Sequence, residues 1–412
     1  MTVSSPVKAG LSVDLNAAVD EGRESFGCWN PDAAGWKSAR EAVVEYYRER
    51  GGNFTAGQII LTASTSEAYS VLFKTFCDPG DVILTPMPGY PLLDTLAQLE
   101  HLECAPYFLQ LRRENARKLA TDERREGAAF RFVLDSDSLL AAPEKAKILL
   151  LVSPHNPTGH CISREEWNAA VRFCEENGMV LVVDEVFGDY AFSDKVKRTW
   201  EYVFGLCPPE PSLSQSSPSK SFSAEGRKSI HCRFNDFWDA GGGDFINLPE
   251  DGPKCPIFWL NGLSKAVGSP QLKLGWMAFY APRERFEEIR AALEFVEDAY
   301  LSVSAPAQAL GSALLKQSAA YESRVKERLL QNWQTLREAF PSKYCPEVLG
   351  GWYAVVRLGE DDEDLTLRLL REKHVLVQPG FFFDFDEDGW VVISLLQEPA
   401  LFKEAVRRMA DR

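Results

Sequence analysis

The sequence predicts an α/β fold, in which a large domain with a mostly parallel central sheet flanked by helices is followed by a smaller α+β domain. Two observations lead to this prediction. Short apolar runs alternate with helical patterns along residues 59–280, and the pattern changes to long helices and short strands beyond residue 282. Since strands buried on both faces are apolar along their whole length, the short runs favour a parallel sheet.

Short apolar segments make up the predicted sheet. They are residues 59–62, 82–85, 148–152, 180–183, 257–260 and 277–280. We expect each of them to be a buried strand of the parallel type. Because parallel neighbours need a crossover connection, helices are expected between several of these strands.

Two of the connecting helices have recognisable ends. Residues 66–77 place their apolar side chains on one face, and Pro79 and Gly80 follow as a stop signal. The next clear helix begins at Ser163, with Glu166 three residues later in the capping-box pattern, and it ends before Gly178.

The C-terminal part predicts a second domain. Helical patterns cover residues 283–300 and 319–340, and strand patterns follow around 351–358 and 390–395. A chain of 412 residues with 45% apolar residues can bury cores for two domains. We therefore expect a large domain at 41–282 and a small domain that includes 283–412.

Composition limits the classes of partner and compartment. The formal net charge of −15 argues against nucleic acid and anionic membranes as partners. No stretch approaches the roughly 18 consecutive apolar residues of a membrane span, and residues 1–10 lack the pattern of a secretory signal. Nine cysteines without close pairs suit a reducing compartment. We expect a cytoplasmic protein, and no metal site is predicted.

Three polar residues in a fixed order predict a site for pyridoxal phosphate. Asn156 lies in Ser-Pro-His-Asn-Pro-Thr-Gly, Asp184 follows an apolar run, and Lys265 ends Gly-Leu-Ser-Lys. A lysine amine can form a Schiff base with an aldehyde cofactor, and a buried carboxylate can keep a pyridine nitrogen protonated. An amide can hydrogen-bond the phenolic oxygen of the same ring. The spacing between Asn156 and Asp184 leaves room for one crossover helix.

The phosphate of such a cofactor would bind where a strand passes into a helix. Ser64, Thr65 and Ser66 follow a predicted strand and open a predicted helix, so backbone amides and hydroxyls meet where the helix dipole favours an anion. Lys273, eight residues after Lys265, supplies a cation. Taken alone, the hydroxyl residues could simply cap the helix. Together with the two lysines, they predict a phosphate site.

These residues together resemble the class I and II aminotransferases, the fold-type-I pyridoxal phosphate enzymes, over nearly the whole chain. The resemblance implies a homodimeric enzyme of amino acid metabolism that exchanges an amino group between an amino acid and a 2-oxo acid. It also implies that Lys265 and Asp184 are catalytic, that Ser264 belongs to the cofactor site and that Tyr90 stacks on the pyridine ring. In this family the small domain takes in the N-terminal segment, here residues 1–40.

Three positions depart from the family pattern. Phe187 stands where a tyrosine often hydrogen-bonds the phenolic oxygen, and Lys273 replaces an arginine that grips the phosphate. Val392 occupies the position of the arginine that clamps the substrate's α-carboxylate. Arg357 and Arg40 are candidate replacements, although a structural role explains each of them more simply. Alternatively, the substrate carries no α-carboxylate.

Residues 198–256 are predicted to be a loop insertion relative to the family. They contain two adjacent prolines, a serine-rich run at 212–223 and three consecutive glycines. Loops of this length are uncommon in a compact domain unless they are functional or disordered. We interpret the insertion as a mobile surface loop, with an active-site cover or a dimer contact as the alternatives.

Two other functions stay open at the level of sequence. A lyase or decarboxylase could use the same lysine-bound cofactor, because the fold alone does not choose the reaction. A pyridoxal phosphate-binding protein with little turnover is also compatible with the missing arginine at Val392. The sequence does not identify the amino donor or the acceptor.

Overall fold

An eight-stranded sheet forms the centre of the computed structural model, which describes residues 1–115, 128–205, 249, 252–359 and 361–411. Its strands are β1 (Ile59–Thr62), β2 (Val82–Met87), β3 (Glu103–Asn115), β4 (Ala128–Leu134), β5 (Ala146–Val152), β6 (Val180–Asp184), β7 (Ile257–Gly262) and β8 (Gly275–Tyr280). Their order across the sheet is β1-β8-β7-β6-β5-β2-β3-β4. The predicted fold class is confirmed.

Most neighbours in this sheet are parallel. β2 pairs in parallel with β3 and β5, and β6 and β7 continue the parallel order from β5. β8 runs antiparallel to both of its neighbours, β1 and β7. The prediction that residues 59–62 and 277–280 form strands of the parallel type is therefore wrong, because β1 and β8 pair only with antiparallel neighbours. A strand buried on both faces is apolar in whichever direction it runs, so the pattern does not report direction.

The sequence patterns do not predict β3 and β4, which pair as antiparallel strands at one edge of the sheet. β3 is 13 residues long, and its second half carries charged side chains such as Arg112 and Arg113. This half has a partly exposed surface and lacks the continuous apolar run of the central strands. An edge strand of this kind gives a weak pattern.

The helices of the described residues lie on both faces of the central sheet and in the C-terminal part. They are α1 (Leu15–Gly22), α2 (Lys37–Arg48), α3 (Thr65–Phe76), α4 (Leu92–Leu99), α5 (Arg164–Asn177), α6 (Glu201–Phe204), α7 (Leu263–Ala266), α8 (Phe286–Asp298), α9 (Ala305–Leu315), α10 (Ser318–Ala339), α11 (Asp362–Lys373) and α12 (Pro399–Ala410). α3, α4 and α8 contribute to the core on one face, and α2, α5 and α9 to the core on the other. Successive strand residues such as Ile60 and Leu61 point to opposite cores.

Local signals set the ends of α5. The Oγ atom of Ser163 accepts a bond from the backbone N–H of Glu166 at 3.2 Å, and Oε2 of Glu166 accepts one from the N–H of Ser163 at 2.7 Å. Gly178 follows with a φ of +63°, a conformation that glycine adopts without steric cost. The predicted capping box and stop signal are confirmed. The predicted helix at 66–77 corresponds to α3.

A smaller antiparallel sheet lies in the C-terminal part, with β9 (Tyr353–Arg357), β10 (Gln378–Pro379) and β11 (Trp390–Ser394) in the order β10-β11-β9. It shares a third core with α10, α11 and α12, and Met1 and Leu11 belong to the same core. α8 and α10 correspond to the predicted long helices, whereas no element was expected at α9. The domain limits at residues 40 and 282 stay a prediction.

Most of the predicted insertion at 198–256 lies outside the described residues. Its first part belongs to the fold, because Trp200 is fully buried and α6 follows directly. Within the described ranges, no helix combines the length and the apolar character that a membrane crossing requires.

Candidate active site

A cavity of about 320 Å³ lies at the carboxyl edge of the central sheet. The parallel strands β5, β6 and β7 end at its wall with Val152, Asp184 and Gly262, and this edge is where α/β sheets usually bind ligands. The cavity is lined by all ten residues that the sequence predicts for the site. They are Ser64, Thr65, Ser66, Tyr90, Asn156, Asp184, Phe187, Ser264, Lys265 and Lys273. Its volume suits a small molecule.

Lys265 lies in the short helix α7, directly after β7. The hydroxyl of Tyr190 donates to the carbonyl oxygen of Lys265 at 2.6 Å and holds this turn in place. The Nζ atom lies 4.7 Å from the ring centre of Trp352 and 5.4 Å from that of Phe187. Burial lowers the pKa of the amine to about 8, although the charge of Asp184 acts in the opposite direction. More of this amine is therefore neutral, and nucleophilic, at neutral pH than in an ordinary lysine.

Asp184 is the last residue of β6. Its Oδ1 atom accepts a bond from the backbone N–H of Val186 at 3.0 Å, and its Oδ2 atom accepts one from the hydroxyl of Tyr69 at 2.6 Å. Burial is the largest effect and raises the pKa of the carboxyl above its ordinary value, although the bonds from Tyr69 and Val186 and the charge of Lys265 act in the opposite direction. A protonated nitrogen placed against Asp184 would favour the carboxylate further.

Asn156 lies in the loop between β5 and α5. This loop is held by a bond from the N–H of His155 to the carbonyl of His160 at 2.7 Å, and by one from the N–H of Leu349 to the carbonyl of Gly159 at 2.9 Å. Asn156 is buried, and its Oδ1 atom has no hydrogen-bond partner in the described part of the chain. Because buried polar atoms are normally paired, this amide is available to a polar ligand in the cavity.

Ser64, Thr65 and Ser66 line the cavity where α3 begins. Ser64 is the N-cap of this helix, and its Oγ atom accepts a bond from the N–H of Glu67 at 3.2 Å. The first N–H groups of a helix have no partner within the helix and carry a partial positive charge. Capping and anion binding are thus compatible here, since Ser64 caps α3 while the same turn faces the cavity.

Lys273 is a second cation at the cavity wall. Its backbone has φ of +51° and ψ of 62°, in the left-handed region that residues other than glycine seldom adopt. Such a conformation persists only where the surrounding structure holds it, and it is concentrated at functional sites. The next residue, Leu274, accepts a bond from the N–H of Leu263 at 3.0 Å, which ties the segment of Lys273 to the helix of Lys265.

Aromatic rings form other parts of the wall. Tyr90 is half exposed, whereas Phe187 is buried. The N–H of Gly89 donates to the carbonyl of Phe383 at 2.8 Å and so holds the loop of Tyr90 against the C-terminal part. Since Phe187 has no hydroxyl, it offers a ligand only an apolar surface.

No arginine lines the cavity within the described ranges. Val392, at the position expected to bind a substrate carboxylate, is fully buried in an apolar core. Arg357 pairs with Glu387 at 2.5 Å, and the Nε atom of Arg40 donates to the carbonyl of Gly35 at 2.9 Å. Neither candidate replacement contributes to the cavity wall.

Three polar side chains of the lining are absent from the predicted site: Ser4, Tyr69 and Tyr353. Tyr69 lies one turn into α3 and is buried, so a tyrosine among the apolar residues of this helix is the only signal for it. Tyr353 hydrogen-bonds the side chain of Ser4, and burial raises the pKa of its hydroxyl to about 12. Ser4 and Tyr353 come from opposite ends of the chain, and sequence spacing gives no sign that they meet.

The residues present fit pyridoxal phosphate. Lys265 matches its aldehyde, Asp184 its pyridine nitrogen and Asn156 its phenolic oxygen. The start of α3 and Lys273 match its phosphate in charge. In the part of the chain that the structure describes, no group of three or more His, Cys, Asp or Glu side chains is arranged to hold a metal ion.

The chain matches the sequence profile of the family described as aminotransferase class I and II over residues 20–229 and 234–409. Glutamate-pyruvate aminotransferase of Haemophilus influenzae is 22% identical over 396 residues, which cover 92% of this chain and 81% of that protein. Nicotianamine aminotransferase A of Hordeum vulgare is 24% identical over 403 residues, which cover 93% of this chain and 72% of that protein. The solved structure of alanine aminotransferase from Pyrococcus furiosus has the same fold, with a TM-score of 0.73 at 20% identity, covering 99% of this chain and 90% of that chain.

Proposed function

Because the chain belongs to the aminotransferase class I and II family and is an aminotransferase, we propose that the cavity at Lys265 is its active site and binds pyridoxal phosphate. An aminotransferase exchanges an amino group between an amino acid and a 2-oxo acid. One observation carries the proposal for the site: a single cavity gathers a lysine of lowered pKa, a carboxylate at a strand end and the N-terminus of α3.

Lys265 has two roles in this proposal. Its Nζ atom would hold the cofactor through the aldehyde. Once freed by the substrate's amino group, the same amine would accept the proton of the substrate's α-carbon and deliver it to the aldehyde-derived carbon of the cofactor. When bound, the cofactor supplies an electron-accepting ring that stabilises the negative charge on that carbon. The rings of Trp352 and Phe187 beside Nζ exclude water, and the resulting pKa near 8 keeps a useful fraction of the amine neutral.

The remaining residues of the cavity bind the cofactor and orient it. Asp184 holds the protonated pyridine nitrogen, Asn156 bonds the phenolic oxygen, and Tyr90 covers one face of the ring. The N–H groups at the start of α3, with the hydroxyls of the same turn, bind the phosphate together with Ser264 and Lys273. Lys273 acts as a point charge without the two-pronged grip of an arginine, so phosphate binding depends more on the helix N-terminus.

Covalent labelling tests the position of the lysine. Borohydride reduction of the loaded protein followed by peptide mass mapping should place the label on Lys265. Lys265→Ala should abolish amino transfer, because no other described amine lies between the same rings, while cofactor still binds noncovalently through its phosphate. The matched control is Lys254→Ala, which should leave labelling and turnover unchanged. A label on Lys273 or Lys254 would remove Lys265 from the proposed site.

We also propose that the enzyme is a homodimer, as the family resemblance implies, and that it is cytoplasmic, as its nine cysteines without close pairs indicate. Large aromatic side chains support a second copy as partner, since Trp29 is 81% exposed and Phe295 is 82% exposed. Aromatic residues are enriched in the cores of protein–protein interfaces. Sedimentation velocity of the loaded enzyme should give about twice the chain mass of 46.2 kDa, and Trp29→Ser should shift the protein toward the monomer. A monomer at tens of micromolar protein would contradict the proposal.

A further inference from the structure

The hydroxyl of Tyr69 contacts the carboxylate of Asp184. It donates to Oδ2 of Asp184 at 2.6 Å, a short bond of the kind formed by a hydroxyl with a charged acceptor. Tyr69 is only 3% exposed, and its ring packs 6.1 Å from that of Phe73 in the same helix. The hydroxyl therefore has a fixed position, and bulk water does not compete for it.

α3 connects this contact to the opposite end of the cavity. The helix begins at Thr65, where its first turn lines the cavity, and Tyr69 follows one turn later. A single rigid element therefore carries both the predicted phosphate contact and a donor to Asp184. A ligand that is held at both ends of the cavity is positioned by α3 relative to the carboxylate.

In the bond between Tyr69 and Asp184, the tyrosine hydroxyl is always the donor. Burial and the neighbouring charge of Asp184 raise the pKa of Tyr69 well above 10, so its hydroxyl stays protonated and donates. Asp184 accepts from Tyr69 on one oxygen and from the N–H of Val186 on the other. Both bonds favour the ionised carboxylate, in opposition to burial, which favours the neutral acid.

We propose that Tyr69 is a positioning residue that keeps Asp184 ionised and oriented, so that the proton shared between Asp184 and the cofactor's pyridine nitrogen stays on the nitrogen. This inference rests on the proposed function of the cavity. Removing a donor makes a carboxylate more basic, which draws the shared proton toward Asp184. A neutral pyridine ring withdraws fewer electrons, so removal of the α-proton becomes slower.

The test compares Tyr69→Phe with Tyr107→Phe. Both substitutions remove one buried tyrosine hydroxyl, but that of Tyr107 donates to the backbone carbonyl of Leu150 at 2.8 Å and does not line the cavity. Each protein is loaded with cofactor carrying ¹⁵N at the pyridine nitrogen, because protonated and neutral pyridines differ widely in ¹⁵N chemical shift. The kcat and KM of amino transfer are measured in parallel, and Asp184→Asn serves as the reference for loss of the ionic partner.

We expect Tyr69→Phe to move the ¹⁵N resonance toward that of neutral pyridine and to lower kcat about tenfold or more, with little change in KM. Tyr107→Phe should keep the parental resonance. An unchanged resonance in Tyr69→Phe would overturn the proposal even if kcat fell, since a purely structural role predicts that result. If Tyr69→Phe does not fold, para-aminophenylalanine at position 69 keeps the ring with a weaker donor and should give a partial shift; no shift there also overturns the proposal.

The labelling experiment separates this inference from the proposed function. If borohydride fails to label Lys265, the site itself is wrong, and Tyr69 loses its proposed role with it. If Lys265 is labelled and the ¹⁵N resonance is insensitive to the donor at position 69, only the inference about Tyr69 fails.

Discussion

At the scale of single residues, the amine of Lys265 decides whether the cavity can do the proposed chemistry. Burial shifts its pKa from the ordinary 10.5 to about 8, and the nearby charge of Asp184 limits the shift. About one tenth of such an amine is neutral at pH 7, compared with about 0.03% of an unperturbed lysine. The site therefore supplies a nucleophile without a separate base to deprotonate it.

We predict that the reactivity of Lys265 in the cofactor-free protein rises with pH around a midpoint near 8. The sign follows from the cause, because burial disfavours the charged form and the amine loses its proton at lower pH than usual. Amine-specific acetylation followed by mass spectrometry gives the rate at each pH, with exposed Lys8 as the internal reference. In Asp184→Asn the midpoint should fall further, since a charge that raises the pKa is removed. A midpoint near 10 would show that the amine is solvated.

The sequence was sufficient for the three polar residues at the strand ends, because the ends of parallel strands converge at one edge of the sheet. Asn156 and Lys265 follow β5 and β7, Asp184 ends β6, and the three residues line one cavity for that reason. Tyr69 escaped prediction because it lies inside a helix among apolar residues, where a tyrosine is usually only part of the core. Only the hydrogen bond to Asp184 points to the role that we propose for it.

At the scale of elements, the first turn of α3 packs closely against strand β8 of the central sheet. A Cβ atom on Gly275 would lie 3.0 Å from the backbone carbon of Ser64 and 3.1 Å from the nitrogen of Thr65. Glycine at the start of β8 therefore lets the first turn of α3 sit directly on the strand that follows Lys273. The phosphate end of the cavity and Lys273 are brought together by this contact.

Buried helices and strands could be predicted from the sequence more readily than half-exposed ones. The central strands and α5 were identifiable because each carries a continuous apolar run or explicit capping residues. β3 and β4 lie at the sheet edge, where half-exposed polar residues dilute the pattern, and the direction of β8 depends on pairing that no local signal records. Strand direction is a property of the assembled sheet.

At the scale of the whole molecule, a buried network of charges joins distant parts of the chain behind Lys265. Asp189 accepts from the hydroxyl of Tyr46 at 2.6 Å and from Nε of Arg50 at 2.8 Å, and it pairs with Arg198 at 3.1 Å. Tyr46 in turn accepts from the side chain of Asn261 at 3.2 Å, in the strand that leads to Lys265. No local pattern predicts this network, because its members are more than a hundred residues apart in several cases.

We predict that the buried charge of Asp189 stabilises the folded protein. Asp189→Asn keeps the size of the side chain but leaves Arg50 and Arg198 with one fewer buried counter-charge, so the free energy of unfolding at pH 7 should fall by about 3–5 kcal/mol. The charges of Arg50 and Arg198 hold the pKa of Asp189 at about 2 against burial, below its ordinary 3.8. A depressed carboxyl pKa stabilises the folded state above the ordinary value, and the contribution is lost as pH falls toward 2.

Urea unfolding of both proteins between pH 7 and pH 2.5 measures this contribution, with exposed Asp20→Asn as the matched control. The difference between parent and Asp189→Asn should be constant near neutral pH and should shrink below about pH 4, because the unfolded parent then takes up a proton at Asp189 that the folded parent does not. The control should differ from the parent by less than about 0.5 kcal/mol. A difference below 1 kcal/mol at pH 7, or one that does not shrink in acid, would mean that Arg50 and Arg198 are satisfied by Glu322 and Glu185 alone.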